Sequence, residues 1–236
     1  MRRFRRLPFI AALSVIALTA GAMNVLADGS SKIRAVPWTF VGSAAQCGGT
    51  AGSRIVTSAW LGGMGLPDNG GPNGDAATRN DPHLGLLLNK NGPTPNCSSS
   101  GATITGVKGM TVTAGFQLGY DYRIGGHCGA GAPRFNVDTD QGFFFVGCVN
   151  GVQTPAPQDG EWSRTRSDLT NCGSACSPGS ITAGAKIKSI EIVFDEGTDT
   201  TSPSDPTGVG LAVLDNIYIN GTLITRGSGI QPRPKE

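Results

Sequence analysis

The sequence predicts an all-β protein: a two-sheet, jelly-roll-like β-sandwich with long loops and three disulfides. Glycine makes up 36 of the 236 residues, while lysine and glutamate are rare, so turn formers are plentiful and good helix formers are scarce. Short apolar runs, separated by Gly, Pro and Asn, recur without any long stretch of helical periodicity. The chain also has six cysteines, an even number that is available for bridges.

The chain begins with a predicted secretory signal peptide, residues 1–27. Four arginines precede Leu7–Ala27, which carries no charge and ends in Val25-Leu26-Ala27 before Asp28. A signal anchor is the alternative, because a stretch of this length just reaches across a bilayer. The Val-x-Ala end and the absence of a basic stop favour cleavage. We therefore expect a secreted protein, extracellular or periplasmic, with no membrane insertion after cleavage.

The charge of the remaining chain excludes some partners. Without the four arginines of the leader, 15 basic and 17 acidic residues remain. This balance gives no electrostatic footprint for nucleic acid or for an anionic membrane. We expect no nucleic-acid partner.

Cysteines in an exported chain indicate a disulfide framework. Several pairings of the six are open in principle, and we favour Cys47–Cys97, Cys128–Cys148 and Cys172–Cys176. The second bridge would join the two ends of one hairpin, and the third would close a short loop. A zinc site that combines His127 with the last four cysteines is the alternative, but the spacings fit no paired Cys-x-x-Cys pattern.

The predicted strands are short apolar runs bounded by turn residues. In chain order they are Val36–Val41, Arg54–Trp60, Leu84–Leu88, Ala102–Val107, Met110–Ile124 with a break allowed at Gly115, Pro133–Val137, Phe143–Val149, Trp162–Arg166, Ile187–Asp195, Gly208–Leu214 and Ile217–Ile224. The clearest hairpin turns at Asp138–Gly142, where Gly142 can adopt a positive φ at little cost. Long loops are predicted at Gly62–Pro82, Lys90–Gly101 and Gly197–Thr207. We expect one sandwich domain over residues 28–226 and a flexible tail at 227–236.

Four segments resemble secreted bacterial β-sandwich proteins of uncharacterised function: Gly85–Thr94, Ala132–Val137, Ile190–Gly197 and Leu214–Gly221. The last of them is similar to the closing strand of galactose-binding-like and carbohydrate-binding-module jelly rolls. The resemblance implies a sandwich fold and sugar binding, and it implies no catalytic chemistry. In some carbohydrate-binding modules an Asp near this strand holds a structural calcium ion, a role that would map to Asp215.

Asp215 is the most informative single residue. It lies in phase with Val213 and Ile217, so a regular strand would point its carboxylate into the core. A buried carboxylate must be paired, hydrogen-bonded or bound to a metal. Three interpretations stay open: a bulge at Asp215–Asn216 that turns the carboxylate towards backbone N–H groups, an arginine partner, or a calcium ion with further oxygens from the 138–142 loop or from Asp195 in the 195–199 loop. No other cofactor is predicted.

The best candidate ligand-binding surface is a polar sheet face. On Phe116–Ile124 the apolar side chains share one parity and the polar side chains share the other. If this strand pairs with Arg134–Val137, the polar side chains of both line one face. The predicted ligand-binding residues are Gln117, Asp121, Arg123, Arg134, Asn136 and Trp162. Planar polar groups beside an aromatic ring are how proteins hold sugars; the alternative is an ordinary solvated face of an antiparallel sheet.

No catalytic constellation is recognisable. The chain has two histidines and no Gly-x-Ser-x-Gly elbow, and we interpret His127 as a solvated loop residue. Glu191 and Asp195 share a strand parity but give no specific acid–base pair. We therefore expect a secreted, non-catalytic binding module, with carbohydrate as ligand and a glycan or cell-surface component as partner. A structural or cell-surface protein-interaction domain is the alternative, and a polysaccharide hydrolase or lyase ranks third.

Overall fold

The computed structural model describes residues 33–52, 55–67 and 83–227. The predicted signal peptide, most of the loop Gly62–Pro82 and the tail beyond residue 227 lie outside these ranges. The described chain forms thirteen strands: β1 Arg34–Val41, β2 Val56–Leu61, β3 Gly85–Lys90, β4 Ser98–Thr105, β5 Gln117–Arg123, β6 Arg134–Thr139, β7 Gly142–Gly147, β8 Val152–Pro155, β9 Trp162–Asp168, β10 Cys176–Ser177, β11 Ile187–Phe194, β12 Leu211–Ile219 and β13 Thr222–Ile224. In these ranges we find no helix that is long and apolar enough to cross a membrane.

The strands form two antiparallel sheets that pack face to face. The six-stranded sheet has the order β1-β4-β11-β6-β7-β10, and the seven-stranded sheet has the order β2-β3-β12-β5-β9-β8, with β13 alongside β12. Within them, β3-β12-β5-β9 faces β4-β11-β6-β7, which is the strand distribution of a jelly roll. The predicted fold class is therefore confirmed.

The core lies between the sheets and takes alternate residues from each strand. On β6, Phe135 and Val137 are buried, while Arg134 and Asn136 are only half-buried, as expected of a strand with one face on the core. Tyr120 reaches across from the other sheet, and its ring centroid lies 5.4 Å from that of Phe135. Its hydroxyl donates to a backbone carbonyl at 2.7 Å, which satisfies the one polar atom that this side chain brings into the core.

The segment Lys90–Gly101, predicted as a loop, contains the end of β3 and the start of β4. A Ser-Ser-Ser-Gly run lacks strand-forming residues, but packing requires small ones here. The Trp38 ring of β1 lies over Gly101, where a Cβ would collide with it. From the facing sheet, Ser58 donates its hydroxyl to the Gly101 carbonyl at 2.7 Å.

The predicted hairpin and all three bridges are confirmed. β6 and β7 pair from Arg134↔Gly147 to Thr139↔Gly142, and Gly142 has a φ of +138°. The disulfides are Cys47–Cys97, Cys128–Cys148 and Cys172–Cys176. No described cysteine is free, so the zinc alternative has no thiolate ligands.

Candidate functional site

The predicted polar face does not form, because β5 and β6 belong to different sheets. β5 pairs with β9 and β12, whereas β6 pairs with β7 and β11. The predicted parities are right except at Ile124, which is 49% exposed. The polar side chains of β5, however, lie on the outer face of the seven-stranded sheet, and Arg134 and Asn136 lie on the outer face of the six-stranded sheet. Residues 124–133 cross from one sheet to the other, and the sequence pattern does not distinguish such a crossover from a hairpin.

On the seven-stranded sheet, Asp121 belongs to a closed ion-pair network. Its side chain is fully buried, and Arg164 on β9 donates to both carboxylate oxygens, at 2.7 and 2.8 Å. Asn216 donates to the same carboxylate at 2.8 Å, and the Arg166 guanidinium lies 3.7 Å away. Burial lowers the pKa of Arg166 to about 10, while Asp121 acts in the opposite direction. The Asp121 side chain projects from the outer face of the sheet, as predicted. Its carboxylate is buried there because it accepts hydrogen bonds from Arg164 and Asn216.

Trp162 is buried, which corrects its predicted role as a ligand-binding ring. It is 4% exposed and packs with Leu66, Ala156 and Val213 in a second apolar cluster. Leu66 and Ala156 lie on the segments that follow β2 and β8, so these segments cover the ring. A hollow of about 240 Å³ remains beside it.

Gln117 and Arg123 lie at opposite ends of β5, away from Arg134 and Asn136. Gln117 is exposed. Arg123 forms an exposed ion pair with Glu161, and such pairs contribute little to stability. The structure therefore brings neither residue to an open aromatic ring on this face.

Asp215 sits at a β-bulge, one of the three interpretations that the sequence left open. The register of β12 against β5 shifts between Asp215 and Tyr218, and Asn216 has a φ of +45°. The bulge reverses the parity of the strand, so Ile217 is buried in the core and Asp215 faces outwards. The Asp215 carboxylate accepts hydrogen bonds from the N–H groups of Leu66 at 2.7 Å and Asn216 at 2.6 Å. The bond from Leu66 fastens the segment 61–67 to the sheet, and the bond from Asn216 lies within the bulge itself.

The two residues predicted as calcium ligands lie apart. Asp215 is on the outer face of the seven-stranded sheet, and Asp195 follows β11 of the other sheet, where it pairs with Arg134. They therefore cannot share an ion. In the other acidic loop, Asp140 accepts a hydrogen bond from the Lys186 N–H. Among the described residues, no three His, Cys, Asp or Glu side chains are placed to hold a metal.

The six-stranded sheet presents an open surface, the aromatic platform, formed by Arg134, Asn136, Phe143 and Phe145. The two phenylalanines point outwards from β7 and are 47% and 40% exposed. Their rings meet edge to face, with centroids 5.1 Å apart. Asn136 lies directly opposite Phe145 in the ladder. Strand alternation thus places two aromatic rings beside two planar polar side chains.

Arg134 is held in one orientation on this platform. It donates to both oxygens of Asp195, at 2.7 and 2.9 Å, and to the Gly131 carbonyl at 2.7 Å. Its Nε donates to Asn136 at 3.0 Å, and its Cζ lies 5.2 Å from the Phe145 ring centroid, a cation–π distance. Bidentate pairing and stacking restrict the guanidinium. Of the predicted ligand-binding residues, Arg134 and Asn136 are joined by a side-chain hydrogen bond, and Arg123 lies opposite the buried Trp162 in the β5–β9 ladder.

Beyond Arg134 the platform continues into a groove at the end of the sheet, called here the end groove. It has a volume of about 430 Å³ and is open to solvent. Its lining includes Phe40, Pro95, Ser99, Arg134, Asp195 and Glu196. Because Arg134 belongs to both the groove and the platform, the two surfaces are continuous.

A buried histidine holds Glu196 in the end groove, which corrects the interpretation of His127 as a solvated loop residue. The ring is fully buried; its Nε2 lies 2.7 Å from Glu196 Oε2, and its Nδ1 lies 3.4 Å from Asp205 Oδ2. Asp205 accepts hydrogen bonds from the N–H groups of Gly208 and Val209, both at 2.8 Å. Glu196 and Asp205 are 69 and 78 positions from His127, so no local pattern could have revealed the cluster.

A buried lysine fixes the groove wall. Lys90 Nζ donates to the carbonyls of Thr94, Asn96 and Asp195 at 2.7–2.8 Å, which uses all three of its donors. Burial lowers the pKa of Lys90, against the opposing effect of Asp195 and Asp199. The lysine therefore ties the segment 91–97 to the end of β11.

The end groove is arranged for hydrogen bonding. Asp195 accepts from Arg134, and Glu196 Oε2 lies 2.7 Å from His127 Nε2. The ring nitrogens of His127 both contact carboxylates, not a hydroxyl or thiol nucleophile. Fixed acceptors beside a guanidinium suit the recognition of hydroxyl groups.

By its fold the chain is a disulfide-bonded jelly-roll sandwich. Comparison with protein-family models, curated proteins and solved structures yields no match. The resemblance to carbohydrate-binding jelly rolls stays a prediction, and the function is argued from the site alone.

Proposed function

We propose that this protein is a secreted, non-catalytic carbohydrate-binding module whose ligand lies on the aromatic platform. The observation that carries the proposal is the exposed pair Phe143 and Phe145 beside the fixed guanidinium of Arg134. Phenylalanine is usually buried, and adjacent exposed rings with a polar rim mark a binding surface.

The platform matches the two kinds of surface on a sugar. Phenylalanine rings provide flat apolar area for the C–H faces, and Arg134 and Asn136 provide planar donors and acceptors for the hydroxyls. Because Asp195 and Phe145 already fix the guanidinium, little side-chain entropy is lost on binding. The three disulfides are typical of oxidising compartments and support the secreted location.

The test is calorimetric titration of the mature, oxidised chain with neutral glucans, xylans, mannans and galactans and their oligosaccharides. Phe145→Ala removes a ring and Arg134→Lys removes the bidentate fork, and we expect each to weaken binding about tenfold. Leu223→Ala is the matched control, because Leu223 is an exposed apolar side chain on the other sheet. Binding to none of these glycans, or binding that survives both platform changes, would contradict the proposal.

A protein-interaction domain is the second candidate, favoured by apolar side chains at the free edge of the seven-stranded sheet. Val152 on the edge strand β8 is 70% exposed, and Ile124 nearby is 49% exposed. An exposed edge strand can pair with an extended segment of another protein. A protein partner that is lost on Val152→Asp but kept in Phe145→Ala would favour this candidate.

A further inference from the structure

We propose that the end groove receives the terminal residue of the glycan, so that the protein recognises chain ends and not internal stretches. This inference rests on the proposed function and specifies which part of the polymer is bound.

The platform and the groove lie in line along β6 and β7. In the ladder, Phe143 lies opposite Asp138, Phe145 lies opposite Asn136, and Arg134 takes the next outward position. Successive outward positions are roughly 7 Å apart along a strand. A sugar chain that covers both rings and the guanidinium therefore points into the end groove.

The far side of the groove is a fixed wall. The segment 91–97 is held by two hydrogen bonds from Lys90, to the carbonyls of Thr94 and Asn96, and by the Cys47–Cys97 bridge. Two backbone bonds add to this, from the Gly42 N–H to Cys97 at 3.0 Å and from the Thr198 N–H to Gly92 at 3.0 Å. A segment tied at so many points does not move aside to let a polymer pass.

The polar groups of the groove favour a chain end for a chemical reason. Asp195 and Glu196 are hydrogen-bond acceptors. One oxygen of Glu196 contacts His127, and the carboxylate lies so close to Gly131 that a Cβ on residue 131 would collide with it. A terminal sugar carries a hydroxyl where an internal one carries a glycosidic oxygen, so only the terminal one can donate there. An internal residue would set an ether oxygen against a carboxylate without a proton between them, which leaves both unsatisfied.

Competition per unit mass tests the inference. The probes are short cello-, xylo-, manno- and galacto-oligosaccharides, each compared with its parent polysaccharide. A chain that is ten times longer has a tenth of the ends per gram, so end recognition predicts about a tenfold weaker competitor at equal mass. Internal recognition predicts no such decrease and would overturn the inference.

Chemical blocking of the ends gives the second arm. One set of oligosaccharides is reduced at the reducing end to an alditol, and a second set is methylated at the hydroxyls of the non-reducing terminal residue. We expect one of the two modifications to abolish binding, and that modification identifies the end that enters the groove. Unchanged binding after both modifications would overturn the inference.

Glu196→Gln gives the third arm, because it keeps the shape of the side chain and an acceptor for His127. We expect about tenfold weaker binding of the oligosaccharides, as for the loss of a charged hydrogen-bond acceptor. Glu161→Gln, on the outer face of the other sheet, is the control and should leave binding unchanged. If no glycan binds at all, the proposed function fails; if glycans bind without dependence on length, ends or Glu196, only the chain-end inference fails.

Discussion

The ion-pair network around Asp121 allows a direct test of how the seven-stranded sheet is held together. Arg164→Leu removes both donors of the bidentate pair and leaves the buried carboxylate with Asn216 and the more distant Arg166. Removing one partner of a buried ion pair costs about 3–5 kcal/mol. The Arg164 side chain is 23% exposed, so water can reach part of the vacated site. We therefore expect a loss at the lower end of that range, about 3 kcal/mol in the free energy of unfolding.

Urea denaturation followed by tryptophan fluorescence measures this loss, because Trp38, Trp60 and Trp162 are all buried and report on unfolding. Arg123→Leu is the matched control on the neighbouring strand: its partner Glu161 is exposed, and we expect a loss below about 0.5 kcal/mol. The double change Asp121→Leu with Arg164→Leu removes the buried carboxylate as well. It should recover part of the stability, because Arg166 and Asn216 lose this partner in turn. A loss below about 1 kcal/mol for Arg164→Leu alone, or a double variant less stable than the single one, would refute the reasoning.

Three further changes have expected outcomes. Lys90→Met leaves three carbonyls without their donor and should cost about 3 kcal/mol in urea denaturation at neutral pH. Burial lowers the pKa of Lys90 in the folded protein below 10.5, so the folded state loses this proton at a lower pH than the unfolded state. The wild type should therefore gain stability relative to Lys90→Met as the pH rises towards 10.5. A loss of stability relative to Lys90→Met over this pH range would contradict the argument. Paired serine variants in thermal denaturation should lose about 4 kcal/mol for Cys47–Cys97, which spans 50 residues, and about 2 kcal/mol for Cys172–Cys176, which spans 4; the reverse order would argue against a chain-entropy effect. Asn216→Ala should cost about 1 kcal/mol more than Asn216→Gly, because the φ of +45° is strained for alanine; equal losses would show that the bulge imposes no such strain.

The sequence was sufficient for the fold class because this depends on composition and on short runs of alternating residues; the favoured bridge pairing is the one observed, but the sequence alone left other pairings open. The β6–β7 hairpin needs only alternation and a glycine that accepts a positive φ, and both are visible in the sequence. The bulge at Asp215 was also foreseeable, since a carboxylate in phase with buried side chains has few stable arrangements. The hairpin and the bulge were inferred from residues that are close together in sequence, whereas the Cys47–Cys97 bridge spans 50 residues.

The candidate site was only partly predictable, because it depends on contacts between distant residues. Whether β6 follows β5 in the same sheet decides which polar side chains share a face, and strand parity does not contain that information. Trp162 was predicted as a ligand-binding ring because the sequence pattern does not show that Leu66 and Val213, which are distant in the chain, pack on it. Phe143 and Phe145 have the appearance of core residues in the sequence, and only the observed pairing shows that Phe144 between them takes the inward position.

Trp162 and Phe145 lie on the two outer faces of the sandwich and differ in how far they are covered, and this contrast gives the last prediction. On the seven-stranded sheet Trp162 is covered by neighbouring segments, so Trp162→Ala should cost about 3–5 kcal/mol in the free energy of unfolding. On the six-stranded sheet Phe145 is 40% exposed, and Phe145→Ala should cost less than about 1 kcal/mol while, under the proposed function, it weakens glycan binding about tenfold. Urea denaturation of both variants measures the difference. If Phe145→Ala destabilised the protein as much as Trp162→Ala, the Phe143 and Phe145 rings would contribute to stability as core residues do. The exposed aromatic pair could then no longer be explained as a surface kept for a ligand at a cost in stability.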